Sequence, residues 1–240
     1  RERLYAEPYY RLVYGESDGL PGLTLDRYGD VLVGQTTTAG MERLKDAITE
    51  AVVKVFKPRA LVWKNDAGSR AQENLPEYAD LGYGALEAPV TVREHGLEFT
   101  IDPIGGQKTG WFYDQRANRD HLAALVPGKR VLDLFAYLGG WGLRAAQAGA
   151  SEVLCVDASA SAVERIGDNA ARNGLAATVR AVKADAFDLL RQLREERERF
   201  DVVVCDPPAF IKRRKDLKEG QLAYRRINEL AMQVLARVWS

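Results

Sequence analysis

Residues 131–142 read VLDLFAYLGGWG, an apolar run that turns through a glycine-rich stretch into the pattern of a helix. A similar alternation of short apolar runs and amphipathic stretches continues to the end of the chain. Repeated strand–helix–strand units force parallel pairing through right-handed crossovers. An uninterrupted apolar strand such as 201–205 fits a sheet that is covered on both faces. The predicted fold class is therefore α/β, with a doubly wound parallel sheet in the second half.

The boundaries of these elements follow from the periodicity of the apolar residues. We predict strands at 131–134, 153–156, 178–182 and 202–205, a helix that ends at 148, and further helices over 160–173, 186–193 and 222–238. A sheet of four strands leaves the last one as an exposed edge. Such an edge predicts aggregation or reduced stability.

The first part of the chain has a different texture, which predicts a small α+β unit. Short strands are predicted at 12–14, 23–25, 31–33 and 60–63, a helix over 41–55, a loop or linker over 66–84, a hairpin within 90–101 and a helix over 115–126. We therefore predict three segments. They are an α+β domain at 1–84, a hairpin and helix at 85–126 that lead into the last domain, and an incomplete α/β domain at 127–240.

Composition excludes few classes of function. The 34 Lys and Arg residues balance 34 Asp and Glu residues, so there is no global attraction to polyanions, although a local basic patch would suffice for binding nucleic acid. We find no apolar run of membrane-spanning length and no leader, which predicts a cytoplasmic protein without membrane contact. Cys155 and Cys205 lie far apart and end apolar runs, which predicts buried, reduced thiols. Neither His95 nor His121 has metal-ligand spacing, so we predict no metal.

Carboxylates follow three successive predicted strands. Asp133 lies at the end of the first strand, Asp157 directly follows the second, and Asp185 follows the third. Ligands of open α/β sheets bind beyond the carboxyl ends of the strands, where an acidic side chain can accept ribose hydroxyls. The glycine loop lacks the G-x-G-x-x-G spacing of a dinucleotide site. These features predict an adenosine-bearing ligand without a pyrophosphate, although each Asp alone could be a helix cap.

The fourth predicted strand ends in Asp206-Pro207-Pro208-Ala209-Phe210. Two prolines fix the backbone and remove two N–H donors, which leaves carbonyl groups to face a substrate. Asp206 adds a carboxylate, and Phe210 offers a stacking face for a flipped base. The one dense basic stretch, 212–215, follows directly and is suited to RNA phosphates, with a solvated surface loop as the alternative.

These motifs, together with 108–116 (KTGWFYDQR), resemble class I methyltransferases that use S-adenosylmethionine (SAM) and act on bacterial 23S ribosomal RNA. The most similar family methylates cytosine C5 and is built from a PUA domain, a small α+β domain and a Rossmann-like catalytic domain. The resemblance implies a ribosomal RNA partner and SAM as cofactor. The implied catalytic residues are Asp206, Pro207, Pro208 and Phe210. The implied cofactor-binding residues are Lys108, Thr109, Gln115, Arg116, Asp133, Phe135, Ala136, Tyr137, Gly139, Gly140, Asp157, Ala158, Ser159, Asp185, Ala186 and Asp206.

The chain departs from that family in two respects. It lacks the PUA domain, and the family's nucleophilic Ser-Cys-Ser segment is expected after Ser240. Two alternatives stay open: methylation of a guanine or adenine nitrogen, which needs no cysteine, and an adenosine-binding module without catalysis. A nicotinamide-dependent oxidoreductase is disfavoured by the glycine spacing. The first domain could mediate contacts in a homodimer or contacts with RNA.

Overall fold

The computed structural model describes residues 1, 3–211 and 213–236. The chain forms two compact units, Arg1–Arg116 and a second unit from Ala117 onward. The hairpin that the sequence analysis set apart, together with the KTGWFYDQR motif, belongs to the first of these units. Within the described residues, no helix is both long and apolar enough to cross a membrane.

The first unit is built on a mixed five-stranded sheet in the order β1-β2-β3-β4-β5. Only β3 and β4 pair in parallel, and a helical crossover joins them. The bounds are β1 Tyr9–Tyr14, β2 Leu23–Tyr28, β3 Val31–Thr36, α1 Ala39–Arg43, α2 Lys45–Phe56, β4 Ala60–Asn65, β5 Tyr78–Gly84, β6 Val90–Glu94 and β7 Leu97–Ile101. Strands β6 and β7 form a separate antiparallel hairpin, as predicted. Its turn, His95-Gly96, has positive φ at both residues, as tight hairpin turns require.

The core of the first unit confirms the predicted amphipathic helix. Val52 of α2 is buried with Leu61 and Trp63 of β4, and the same cluster includes side chains from β2 and β3. The predicted helix over 41–55 is divided at Leu44 into α1 and α2. Thr38 begins α1 because its hydroxyl accepts the backbone N–H of Met41, an N-terminal cap.

The predicted loop over 66–84 was wrong in its second half. Residues Tyr78–Gly84 form strand β5, which pairs antiparallel with β4 along its whole length. Most of its side chains are exposed, so the strand has no apolar alternation by which sequence could identify it. Its two glycines suggested a linker. One of them, Gly82, is required because a Cβ there would lie 2.4 Å from the ring of Trp63.

The second unit contains an all-parallel sheet in the order β10-β9-β8-β11. Helices connect successive strands, which confirms the predicted doubly wound pattern. The bounds are α3 Arg116–Ala123, β8 Arg130–Leu134, α4 Gly140–Gln147, β9 Glu152–Asp157, α5 Ala160–Arg172, β10 Val179–Lys183, α6 Ala186–Glu195, β11 Val202–Cys205 and α7 Leu217–Gln233. The strand order reverses at β8, so the carboxyl ends of β8, β9 and β11 surround the switch point where ligands of such sheets bind.

Two helix predictions in this unit need correction. Helix α3 ends at Ala123, three residues before the predicted end at Val126. Helix α7 begins at Leu217 and ends at Gln233, whereas the sequence predicted 222–238, of which 237 and 238 lie outside the described residues. After α7 the chain does not continue as a helix: Leu235 forms a parallel β-bridge with Phe200, just before β11. Leu235 therefore pairs next to the start of the predicted edge strand.

Candidate cofactor and substrate site

The glycine-rich loop after β8 has an unusual backbone. Phe135, Tyr137 and Gly139 have φ values of 60°, 51° and 81°, in the left-handed region that residues other than glycine rarely adopt. For a residue other than glycine, this conformation costs about 1–3 kcal/mol and persists where the surrounding structure enforces it, often at ligand sites. Here Ala136 donates its N–H to Val156 O at 3.0 Å and Tyr137 donates to Asp157. Hydrogen bonds to the neighbouring strand β9 thus hold the loop in this left-handed conformation.

Asp157, at the end of β9, is the residue that fixes this loop. Its Oδ2 accepts the N–H of Tyr137 at 2.9 Å, and its Oδ1 accepts the N–H of Ser159 at 2.9 Å. Ala158 and Ser159 are exposed, and the Ser159 hydroxyl caps helix α5. The structure therefore brings together the predicted residues from Phe135 to Gly140 with those from Asp157 to Ser159. The loop-holding bond of Asp157 was not visible in the sequence.

Asp133 lies beneath the loop and is fully buried. Its Oδ2 accepts the N–H of Gly142 at 2.9 Å, whereas no hydrogen bond to Oδ1 is found within the described residues. Burial raises the pKa of this carboxyl from 3.8 to about 7, with further increases from the charges of Asp206 and Asp157. The bond from Gly142 opposes this increase. Asp133 is thus a carboxyl group that titrates near neutral pH next to the candidate site.

This pKa makes the stability of the ligand-free protein depend on pH. Native Asp133 keeps its proton up to about pH 7, whereas the unfolded chain releases it near pH 4, so folding takes up a proton between these values. The contribution of Asp133 to stability therefore falls as pH rises through this window. Between pH 5.5 and 8 the loss should reach about 2 kcal/mol. Urea unfolding of the wild type and Asp133→Asn at both pH values measures it. Equal pH dependence in the two proteins would contradict the assignment.

Asp185 and Ala186 follow β10 at the same edge of the sheet. Asp185 caps helix α6, because its Oδ1 accepts the N–H groups of Phe187 at 2.9 Å and Asp188 at 3.1 Å. Its Oδ2 accepts no hydrogen bond within the described residues. Ala186 is buried, at 5% exposure. The cap explains why Asp stands here, and it leaves one carboxylate oxygen available to a ligand amine.

Asp206 and the two prolines follow β11, beside β8. The Asp206 carboxylate is exposed and accepts the indole N–H of Trp141 at 3.3 Å. Pro208 is exposed as well, and Pro207 is half-buried. Trp141 lies on the first turn of α4, so the helix that begins at the glycine loop also orients the carboxylate at the substrate side. The sequence analysis did not assign this role to Trp141.

Phe210 lies in an aromatic cluster. Its ring centroid is 6.4 Å from that of Phe135, 6.1 Å from Phe187 and 4.8 Å from Tyr224. The Tyr224 hydroxyl also accepts the backbone N–H of Phe210 at 3.2 Å. The cluster joins the glycine loop, the start of α6 and α7 in one apolar wall. Three neighbouring rings already contact Phe210, which limits the face left for a stacked base.

The remaining predicted cofactor residues, Lys108, Thr109, Gln115 and Arg116, belong to the first unit. Thr109 is fully buried and donates its hydroxyl to Asp26, which also accepts a bidentate ion pair from Arg11 at 2.8 and 2.9 Å. Lys108 lies over the Phe112 ring at 4.4 Å. Within this unit the contacts of Thr109 are those of a buried structural residue. The sequence did not reveal its partner Asp26, which is 83 positions away.

The two cysteines are free thiols. Cys155 is fully buried, as predicted, and burial raises the pKa of its thiol well above the usual value. Cys205 is only half-buried, against the core cluster of the second unit. Burial, and then the charge of Asp206, raise the pKa of the Cys205 thiol as well. Both environments disfavour a thiolate. Within the described residues, no three His, Cys, Asp or Glu side chains form a group that could hold a metal.

The fold and these residues together define a class of protein. Four carboxylates lie at the ends of β8, β9, β10 and β11, around a glycine loop that contains no dinucleotide fingerprint. Such a site suits an adenosine-bearing cation, because carboxylates accept ribose hydroxyls and amines and neutralise positive charge. The fold and this arrangement of carboxylates are typical of the class of Rossmann-like methyltransferases that use SAM, a sulfonium compound.

A family model described as S-adenosylmethionine-dependent methyltransferase matches residues 76–236, more than half of the chain. The chain belongs to this family. The predicted class of enzyme and the predicted cofactor, SAM, are thereby confirmed.

The chain is similar to curated proteins named ribosomal RNA large subunit methyltransferase I. That of Shewanella denitrificans is 44% identical over 228 residues, which are 94% of this chain and 57% of that protein. That of Aeromonas hydrophila is 42% identical over 230 residues, 95% of this chain and 58% of that protein. The chain therefore spans little more than half the length of these relatives.

Solved structures show the same fold. A protein from Streptococcus mutans, assigned as a SAM-dependent methyltransferase, has a TM-score of 0.83 at 23% sequence identity. The match covers 99% of this chain and 61% of the Streptococcus mutans chain. A second structure, assigned as a methyltransferase and solved with SAH, has a TM-score of 0.82 at 25% sequence identity. This match covers 96% of this chain and 59% of the chain in that structure. They confirm the predicted α/β fold class.

Proposed function

We propose that this chain is the SAM-binding core of a ribosomal RNA methyltransferase that acts on C5 of a cytosine in 23S ribosomal RNA. The observation that carries this proposal is 44% identity, over 94% of the chain, to a protein named for methylation of large-subunit ribosomal RNA. The cytosine is implied by the resemblance of the 108–116 and Asp206-Pro-Pro motifs to the C5 family. A ribosomal RNA substrate places the proposed reaction in the cytoplasm.

The residues at the strand ends fit SAM. Asp157 would accept the ribose hydroxyls, and the free Oδ2 of Asp185 would accept the adenine amine. Gly139 keeps the glycine loop in its left-handed conformation, because its φ is 81° and a Cβ there would lie 2.7 Å from a leucine side chain of α4. When bound, SAM supplies an electrophilic methyl group on a positively charged sulfur. The exposed carboxylate of Asp206 places negative charge at this site, and the buried carboxyl of Asp133 adds to it as pH rises through about 7.

On the substrate side, Asp206 is proposed to orient the target base. A carboxylate is the acceptor that matches the exocyclic amine of cytosine. The indole N–H of Trp141 keeps that carboxylate in place. The basic stretch after it would contact RNA phosphates: Arg214 and Lys215 are exposed, Arg213 pairs with Asp216 at 3.5 Å, and Lys212 lies outside the described residues.

Methylation of C5 also requires a thiolate that attacks C6 of the ring. The chain has only Cys155 and Cys205, and both thiols have raised pKa values. We therefore propose that the nucleophile comes from a segment outside these 240 residues. The second candidate function, methylation of a guanine or adenine nitrogen, needs no thiolate. The exposed Asp206 carboxylate supports it too, because those amines are also donors.

Methyl transfer from tritiated SAM to 23S ribosomal RNA transcribed in vitro, followed by mass spectrometry of the nucleosides, tests the proposal. The assay compares the 240-residue chain with the same chain extended by the remaining Shewanella denitrificans sequence. We expect 5-methylcytidine from the extended protein and none from the short chain. The Asp206→Ala variant of the extended protein should lose at least about 100-fold in rate, within the range of oriented catalysis. Methylated guanosine or adenosine would favour the second function, and SAM binding without transfer by either protein would favour the adenosine-binding module.

A further inference from the structure

The first unit contains a pocket whose lining includes none of the strand-end residues of the proposed methyltransferase site, and of the predicted cofactor residues it includes Arg116 alone. Its volume is about 240 Å³. This is below the roughly 300–1,000 Å³ of sites for drug-sized ligands, so it suits one base or nucleotide better than a whole cofactor. The lining consists of tyrosines and arginines with one leucine and one aspartate: Arg1, Leu4, Tyr5, Tyr10, Arg11, Tyr14, Tyr113, Asp114 and Arg116. We propose that this pocket binds a nucleotide of single-stranded RNA, an inference that rests on the proposed function.

The tyrosines form a stacking surface. Tyr5 and Tyr10 are stacked on each other, with ring centroids 5.1 Å apart and an angle of 23° between the planes. Tyr10 is buried, whereas Tyr14 is 55% exposed. Exposed aromatic rings accept any base by stacking, which is how proteins bind single strands without reading a sequence. Leu4, at 76% exposure, adds an apolar side chain to the lining.

One guanidinium in the lining is available to a phosphate group. Arg11 is neutralised by Asp26, and Arg1 forms an ion pair with Asp18 at 2.6 Å. Arg116 is different: its guanidinium lies over Tyr5 at 5.2 Å and donates to the Tyr9 carbonyl at 3.2 Å, and no carboxylate partner is found among the described residues. It therefore presents one guanidinium without a carboxylate partner among the described residues beside the aromatic rings. This pairing of a guanidinium with stacked rings matches a phosphate next to a base.

Asp114 is the exposed carboxylate in the lining. A free phosphate would be repelled by it, whereas a nucleotide carries base amines and a 2′-hydroxyl that can donate to it. The combination of ring surface, one cation and one acceptor thus fits a nucleotide better than a simple anion. Bound RNA would then contact the protein at two places: the target base at the methyltransferase site and a second nucleotide in this pocket.

Fluorescence anisotropy with a fluorescein-labelled single-stranded RNA of mixed sequence tests the pocket. We expect Tyr14→Ala to weaken RNA binding about tenfold, the usual effect of removing one stacking ring. The matched control is Tyr83→Ala, which removes a tyrosine of 42% exposure from β5 of the same unit, outside the pocket lining. It should leave RNA affinity unchanged. The Arg116→Gln variant should lower the slope of log affinity against log salt by roughly 0.7, one phosphate contact.

Calorimetric titration of the same proteins with SAM separates this inference from the proposed function. Support requires that Tyr14→Ala binds SAM as tightly as the wild type while its RNA affinity falls. Equal RNA affinity of the wild type and Tyr14→Ala would overturn the pocket and leave an RNA methyltransferase that binds its substrate elsewhere. A wild-type chain that binds SAM but no RNA would overturn the pocket as well. Absence of both kinds of binding in folded protein would overturn both proposals.

Discussion

The Asp157→Ala substitution is expected to lower the affinity of the chain for SAM by at least about 100-fold. The carboxylate has two roles that alanine cannot replace. It accepts the N–H of Tyr137, which helps to hold the loop in its left-handed conformation, and it is proposed to accept the ribose hydroxyls. Hydrogen bonds to a charged group contribute about 1.5–3 kcal/mol each, so losing two exceeds the 2.7 kcal/mol that 100-fold represents. Isothermal titration calorimetry measures the change.

The matched control is Asp168→Ala, which removes an exposed carboxylate from the neighbouring helix α5. It changes the net charge equally and should bind SAM like the wild type. Asp157→Asn keeps one acceptor oxygen and should show an intermediate loss. Wild-type affinity in a folded Asp157→Ala protein would contradict the cofactor site assigned here, whatever RNA the protein methylates.

The Gly142→Ala substitution is expected to destabilise the second unit by about 3 kcal/mol, at the upper end of typical overpacking costs. A Cβ at this position would lie 2.3 Å from Cys155 Sγ and 3.1 Å from Asp133 Oδ2. Cys155 is fully buried within β9, so packed atoms must move to relieve the contact. Helix α4 must therefore shift away from the sheet. The shift also weakens the bond from the Gly142 N–H to Asp133, so SAM affinity should fall as well.

Urea unfolding measures this effect against a control with the same chemical change. Gly167 lies in helix α5, and a Cβ there would meet no atom within 4 Å. Gly167→Ala should therefore stabilise the protein by about 0.5–1 kcal/mol, the helix propensity difference. In a Cys155→Ala background, Gly142→Ala should cost much less, because the clashing sulfur is gone. An equal cost in both backgrounds would show that the Sγ contact is not the cause.

The apolar periodicity of the sequence was sufficient to predict the strands that form the sheet of the second unit. The strands at 131–134, 153–156 and 202–205 lie within the observed bounds or match them, since a strand buried on both faces must be continuously apolar. Strand β5 was missed because it is an exposed edge strand. Its backbone pairs with β4, and no pattern of its own side chains reports that pairing.

In the candidate site, too, some features could be predicted from the sequence and others could not. Asp133, Asp157, Asp185 and Asp206 were found from position alone, because parallel strands end at one edge of a sheet. Their individual environments were not predictable. The raised pKa of Asp133 depends on complete burial beneath the loop and on the charges of Asp206 and Asp157, residues that come from two other strands.

The sequence by itself determined the alternation of strands and helices, the parallel sheet and the acidic strand ends, because each depends on local periodicity and on the order of elements along the chain. The tertiary structure decided the left-handed loop held by Asp157, the burial of Thr109 against Asp26, and the pocket that brings Tyr5 and Tyr14 together with Arg116. Each of these depends on contacts between residues far apart in sequence. Local patterns describe which face of an element is apolar, and they carry no information about which distant polar group will meet it.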